Sequence, residues 1–270
     1  MAEQAQLQHV NRLLEIMAQL RNPDGGCPWD LKQTMASLIP YTIEEAYEVA
    51  AAIHTGNPLA IKDELGDLLF QVVFYAQVAN EQGDFSFDEV AEAVADKLIR
   101  RHPHVFANGS VADAEDAKRQ WERIKQHERA GKPGDDSVLA DIPSNLPGLL
   151  QALKIQKRCA AVGFDWDNPS QVMAKVREET DEIAAELSVP DEQLQQDRIA
   201  EEIGDLLFTT VNLARHCKVN PETALQHANE KFMQRFRLVE RLAKENDVAI
   251  ASAELNALEA LWQQAKKITT

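Results

Sequence analysis

The chain repeats itself, and any fold proposed for one half must therefore serve the other. Residues 44–48, EEAYE, match residues 178–182, EETDE, and residues 63–70, DELGDLLF, match residues 201–208, EEIGDLLF. Lys97 and Arg101 match Lys231 and Arg235 at an offset of 134, the offset of the first glutamates. Trp29-Asp30 echoes Trp166-Asp167, and Trp121 with Lys125 echoes Trp262 with Lys266. Five matches in the same order define a tandem duplication of one unit.

That unit reads as all-α. Asn57-Pro58, Asn168-Pro169 and Asn220-Pro221 each set an N-cap residue before a proline at the first helical position. Ser86 and Glu89 have the spacing of a capping box. Behind these starts, apolar residues recur at three- and four-residue intervals, and alternating β-branched runs are absent. The pattern predicts helices near 6–21, 38–54, 58–81, 87–101, 114–130, 147–161, 170–187, 192–217, 221–245 and 253–267. Gly131, Pro133, Gly134, Pro143, Pro147 and Gly148 interrupt it. Such a density of helix breakers marks a linker over 131–148, between an N-terminal domain at 1–130 and a C-terminal one at 149–270.

The 28 Lys+Arg against 44 Asp+Glu give a net charge of −16. That balance argues against nucleic acid or an anionic membrane as partner, but not against a small anion held through a divalent metal. Cys27, Cys159 and Cys217 form no C-x-x-C pair, which suits a reducing compartment. The opening MAEQAQLQHV lacks the basic and apolar pattern of a signal peptide. The apolar stretch Leu68 to Asn80 falls short of the ~20 residues of a membrane span. A soluble cytoplasmic protein is expected.

Glu178, Glu179 and Glu182 lie on one predicted helix, with Glu182 on the face of both others. Glu202 and Asp205 lie three apart on the next. If these helices pack antiparallel, the carboxylates converge, and they then need protons or cations between them. Oxygen ligands without histidine suit Mg²⁺, with Mn²⁺ as a substitute, rather than zinc or copper. The N-terminal unit repeats the set with Glu44, Glu45, Glu48, Glu64 and Asp67. One such helix in isolation is ordinarily a solvated face. Against this, the acids adjoin the apolar runs of ELGDLLF and EIGDLLF, which are expected to be buried. Gly66 and Gly204 also sit mid-helix, where glycine costs about 1 kcal/mol, which points to close approach of another helix or a ligand. Lys231 and Arg235 offer two cations on one face for a polyphosphate, with an ordinary exposed basic pair as the alternative. Trp262, a turn from Lys266, either stacks on a base or belongs to the core. Lys175, Arg177 and Arg198 add cations beside the C-terminal acids where the N-terminal unit has Tyr41, Ile43 and Ala60, although Lys175 also has the spacing to pair with Glu179.

Other catalytic apparatus is missing. The sequence has no phosphate-binding glycine loop, no dinucleotide fingerprint and no G-x-S-x-G elbow. His102-Pro103-His104 reads as a helix terminator with polar contacts. A di-iron bundle would need Glu-x-x-His where both units read Glu-x-x-Asp.

EExxE followed by ExxD, twice, with CPWD at 27–30, RRHPHVF at 100–106 and VGFDWDN at 162–168, resembles the two-domain MazG nucleoside triphosphate pyrophosphohydrolases over essentially the whole chain. The resemblance implies an all-α fold, dimerisation through helix bundles, and Mg²⁺-dependent hydrolysis of NTPs or dNTPs to monophosphate and pyrophosphate. It implies that Glu179, Glu182, Glu202 and Asp205 ligate metal, with Glu45, Glu48, Glu64 and Asp67 as a second set, and that Glu178 orients water or assists. It implies that Lys231 and Arg235 bind phosphates while Trp262 and Lys266 close over the nucleotide. Lys175, Glu178, Arg198 and Glu201 complete the candidate substrate-binding residues. The resemblance and the extra cations both favour the C-terminal unit as catalytic, with the N-terminal unit structural or regulatory. A nucleotide-sensing or protein-binding scaffold with vestigial hydrolysis, and a narrow dUTP hydrolase, are the competing readings. The sequence defines no regulatory protein partner.

Overall fold

The computed structural model describes residues 2–130, 137–190 and 194–269, and among these all regular structure is helical. The chain separates into two compact units, Met1–Lys132 and Pro133–Thr270. The first holds α1 (Ala2–Leu20), α2 (Met35–Thr55), α3 (Pro58–Gln82), α4 (Phe87–Arg101), α5 (Pro103–Phe106) and α6 (Ala114–Ala130). The second holds α7 (Gly148–Ala161), α8 (Pro169–Leu187), α9 (Gln196–His216), α10 (Pro221–Glu245) and α11 (Leu255–Ile268). Short 3₁₀ turns occupy Asp30–Lys32 and Ile250–Ser252. Residues 131–136 of the expected linker, and 192–193 of the expected helix 192–217, lie outside the described residues.

The predicted starts behave as their chemistry requires. Asn57, Asn168 and Asn220 each accept a backbone N–H with their side chain, and a proline follows each. Ser86 and Glu89 form the reciprocal capping box. One start differs. α2 begins at Met35, not 38, because Thr34 and Ser37 cap each other, Thr34 accepting from the Ser37 N–H at 3.2 Å and Ser37 from the Thr34 N–H at 2.9 Å. Pro40 therefore sits inside the helix. The His102-Pro103-His104 segment does terminate α4, with the His102 ring 2.7 Å from the Leu98 carbonyl and His104 3.0 Å from Gln120.

Packing follows the repeat. α2 packs on α3 and α8 on α9; α1 and α7 lie against α3 and α9; and α4 contacts α3 and α6 as α10 contacts α9 and α11. Gly56, at φ 67°, turns α2 into α3. Met17, Leu38, Val73, Phe74 and Val78 form the core of the first unit. Leu238, Val239, Ala243, Leu261 and Ala265 form a core in the second, with Trp262 packed on it.

Each unit also ties its Trp-bearing loop down with an arginine. Arg21, buried, pairs with Glu81 at 2.6 Å and donates to the Gln33 carbonyl, fixing the loop that carries Trp29. Arg215 and His216 at the end of α9 hold Asp165 of VGFDWDN. These ties anchor the loops that lead into α2 and α8, the first acid-bearing helices.

The expected burial of the ELGDLLF and EIGDLLF runs is not met within one chain. Leu65, Leu69 and Val72 form an exposed stripe on α3, and Ile203, Leu207 and Phe208 are exposed on α9. On α2, Ile39, Ile43 and Tyr47 add a second exposed row. Both helix pairs bury one face against α1 or α7 and leave the other open. No helix is long and apolar enough to cross a membrane among the described residues.

Candidate active site

The helical hairpins bring the acids together. Carboxylate oxygens of Glu179, Glu202 and Asp205 lie within 4.8 Å of one another. In the first unit the corresponding trio is Glu45, Glu48 and Glu64, again within 4.8 Å. The two centres are therefore alike in chemistry but not in composition: Glu182 stands beside the second trio, and Asp67 beside the first.

Their electrostatics reflect crowding of like charges. Loss of hydration raises the Glu182 carboxyl above the usual carboxylate range, and neighbouring Glu179 and Glu202 add to it. Glu45 is raised by burial and then by Asp67, Glu48 and Glu44. Glu64 is raised by the same loss of hydration and by Glu48 and Asp67. Such a set relaxes when a cation enters. The donors are all carboxylate oxygens, the hard ligands that Mg²⁺ or Mn²⁺ takes. An octahedral ion with ligands at about 2.1 Å spaces them about 3–4 Å apart, so only a small contraction is required. The residues fit a divalent metal in both units.

Lys175 separates the centres. Its ammonium lies 2.8 Å from Glu178 and 2.9 Å from Glu179, so the pairing anticipated for Glu179 exists and extends to Glu178. Those hydrogen bonds, to Glu178 first, push the lysine pKa up. Glu179 is only 4% exposed, so a buried carboxylate is balanced by a half-buried ammonium. At the matching place in the first unit Tyr41 packs edge-on against Trp29, with ring centres 5.7 Å apart.

The remaining candidates are spread more widely. Arg198 is engaged by Glu186 at 2.7 Å, clipping the start of α9 to the end of α8. Glu201 is exposed on α9. Lys231 and Arg235 share a face of α10, and Arg235 donates to the Thr269 hydroxyl at 3.0 Å. No ion pair among the described residues joins either to the acids. Trp262 is half-buried, its ring 5.1 Å from that of Phe232, so it serves the core while keeping an edge outside it. Lys266 lies one turn further along α11. Gly66 and Gly204 have no neighbour within 4 Å of where a Cβ would stand. The close approach of another helix expected there does not occur within either unit. Sequence reasoning did not single out Glu186 or Glu128, whose partners lie across helix pairs where spacing gives no signal.

Fold and site together define a tandem all-helical protein with a carboxylate centre in each half. The profile of the MazG nucleotide pyrophosphohydrolase domain matches residues 33–106 and again residues 167–239, and the chain belongs to that family. It is 50% identical to the nucleoside triphosphate pyrophosphohydrolase of Escherichia coli K12 over 261 residues, 97% of this chain and 98% of that one. It is 42% identical to the nucleoside triphosphate pyrophosphohydrolase/pyrophosphatase MazG of Thermotoga maritima over 254 residues, 94% of each chain. A crystallographically solved mazG-related protein from Thermotoga maritima is 28% identical, spans 43% of this chain and 98% of that chain, and has a TM-score of 0.37.

Proposed function

We propose that this chain, a nucleoside triphosphate pyrophosphohydrolase by family, is an Mg²⁺-dependent enzyme. It converts NTPs and dNTPs to monophosphate and pyrophosphate with broad base tolerance, and acts in nucleotide-pool sanitation or regulation in the cytoplasm. Residues 149–270 carry the activity. The observation that carries this assignment is the contrast at Lys175: the C-terminal centre has a buried carboxylate, Glu179, with a cation beside it, where the N-terminal unit has an aromatic pair.

Glu179, Glu182, Glu202 and Asp205 would hold the metal. Bound there, it would neutralise the triphosphate and acidify a coordinated water. Glu178, more exposed than Glu179 and joined to it through Lys175, takes the proton from the attacking water. Lys175, within reach of both glutamates, turns toward phosphate oxygen once they are otherwise occupied. Lys231 and Arg235 bind phosphates as a point charge and a planar fork. Trp262 and Lys266 flank the nucleotide, and Arg198 and Glu201 line the substrate side of α9. The reaction asks mainly for positioning and charge neutralisation, which such side chains supply.

The exposed stripes on α2, α3 and α9 support a homodimer in which a second copy covers them. The unit assignment is tested by measuring turnover in two full-length variants. Glu179→Gln should abolish it and Glu45→Gln should leave most of it; the reverse outcome would move the active centre to the first unit.

A further inference from the structure

The duplication permits a residue-by-residue comparison of the two cationic faces. Lys97 pairs with Lys231 and Arg101 with Arg235; Trp121 pairs with Trp262 and Lys125 with Lys266. The offset of the last two pairs carries Glu128 onto Thr269. Helix packing agrees, since α4 meets α3 and α6 as α10 meets α9 and α11.

What the arginine meets is different. In the C-terminal unit Arg235 donates its Nε–H to a neutral hydroxyl, Thr269, at 3.0 Å. In the N-terminal unit Arg101 forks onto Glu128, with Nη2 at 2.7 Å and Nε at 3.1 Å from Oε2. Arg100, whose counterpart is Gln234, donates to Oε1 of the same carboxylate at 2.7 Å. Both oxygens of Glu128 are thus taken by guanidinium groups, Oε2 by two N–H groups of Arg101 and Oε1 by Arg100, charge-assisted donors of the kind that also bind phosphate oxygens. These hydrogen bonds hold the Glu128 carboxyl down at about 2, so it is fully ionised at neutral pH. The indole is engaged as well: the Lys125 ammonium stands 4.2 Å over the Trp121 ring, and the Trp121 Nε1 is buried without a partner.

We propose that Glu128 is an internal phosphate mimic, seated in the arginine cradle of the N-terminal unit and keeping that unit from taking a nucleoside triphosphate. A tethered carboxylate competes at the effective concentration of its linkage, of the order of millimolar or above. The free nucleotide must displace it and is disfavoured. In the C-terminal unit Thr269 leaves the cradle open. The proposal rests on the reading of Arg235 as a phosphate ligand and explains why two similar acid centres differ in use.

The test is calorimetric titration of the full-length chain with Mg²⁺ and α,β-methylene-ATP, which resists hydrolysis. The wild type should bind one nucleotide per chain. Glu128→Thr should bind a second, and adding Arg101→Ala to it should remove that second event. Unchanged stoichiometry in a folded Glu128→Thr protein, or two sites already in the wild type, would overturn the proposal. The first of these results would leave Glu128 as a tie between α4 and α6 and nothing more. The reciprocal graft does not depend on the stability of that tie. Thr269→Glu should weaken nucleotide binding at the C-terminal unit by about tenfold or more, as a charged pair at Arg235 must now be broken. Mn²⁺ binding without nucleotide, followed by electron paramagnetic resonance, should be unchanged. Unaltered nucleotide affinity in Thr269→Glu would refute the mimic. If the wild type binds no nucleotide at all, the reading of the C-terminal unit fails, and the proposal with it.

Discussion

Replacing Lys175 by methionine should make the protein depend on divalent metal for its stability. The ammonium lies within 2.9 Å of Glu179 and 2.8 Å of Glu178, and Glu179 is nearly sealed from water. Removing one partner of a fully buried pair costs about 3–5 kcal/mol, because a charge is left uncompensated. The Lys175 side chain is 33% exposed, so water already screens part of the interaction and about 1–3 kcal/mol is the expected loss. At roughly 3 °C per kcal/mol for a unit of this size, melting in EDTA should fall by about 3–9 °C. A divalent ion among Glu179, Glu202 and Asp205 supplies the missing positive charge. Saturating Mg²⁺ should therefore restore most of the deficit. A ligand at a hundred times its Kd contributes about 2.7 kcal/mol, enough to cover it. The assay is thermal unfolding of wild type and Lys175→Met, each in EDTA and in Mg²⁺, with Mn²⁺ titrations alongside. The metal-induced rise should be larger in the variant, and metal should bind more tightly where no ammonium has to be displaced. An equal drop with and without metal would refute the reasoning, since Lys175 would then be no competitor of the ion.

Three further outcomes follow from the same geometry. Glu128 titrates near 2 in the fold against 4.5 when free, so its ion pair contributes stability in full above pH 4.5 and loses it as pH falls toward 2; Glu128→Gln should flatten acid unfolding of the N-terminal unit across that window, and an unchanged profile would contradict the linkage. Phe74→Ala removes a ring that is 0% exposed in the first core and should cost about 3–5 kcal/mol in urea titration, with a loss under 1 kcal/mol showing that the site collapses without penalty. Gly204→Ala adds a methyl group to open space within the unit and should raise helix stability by about 1 kcal/mol. The same substitution should lower turnover if substrate or a second copy uses that space, whereas full activity with higher stability would show the space to be unused.

Much of the fold was legible because caps act locally. Asn before Pro fixed three helix starts, and Ser86 with Glu89 a fourth, through hydrogen bonds made within one turn. The Thr34–Ser37 box was missed because a serine replaces the usual Glu or Gln. Convergence of the acids followed from period and from short connections, and it occurs in both units. The exposed face of α3 and α9 was not legible, since amphipathic spacing says that a stripe wants cover but not whether the cover lies in the same chain. Pairs such as Arg198 with Glu186 and Arg101 with Glu128 join residues on different helices, and only packing decides which distant carboxylate a long cation reaches.

The most direct test of the central claim is product analysis of the purified protein with a panel of NTPs and dNTPs, in Mg²⁺ and in EDTA. The account predicts monophosphate and pyrophosphate in equal amounts, from several bases, only when metal is present. Release of inorganic phosphate and diphosphate, or nucleotide binding with no cleavage, would contradict it.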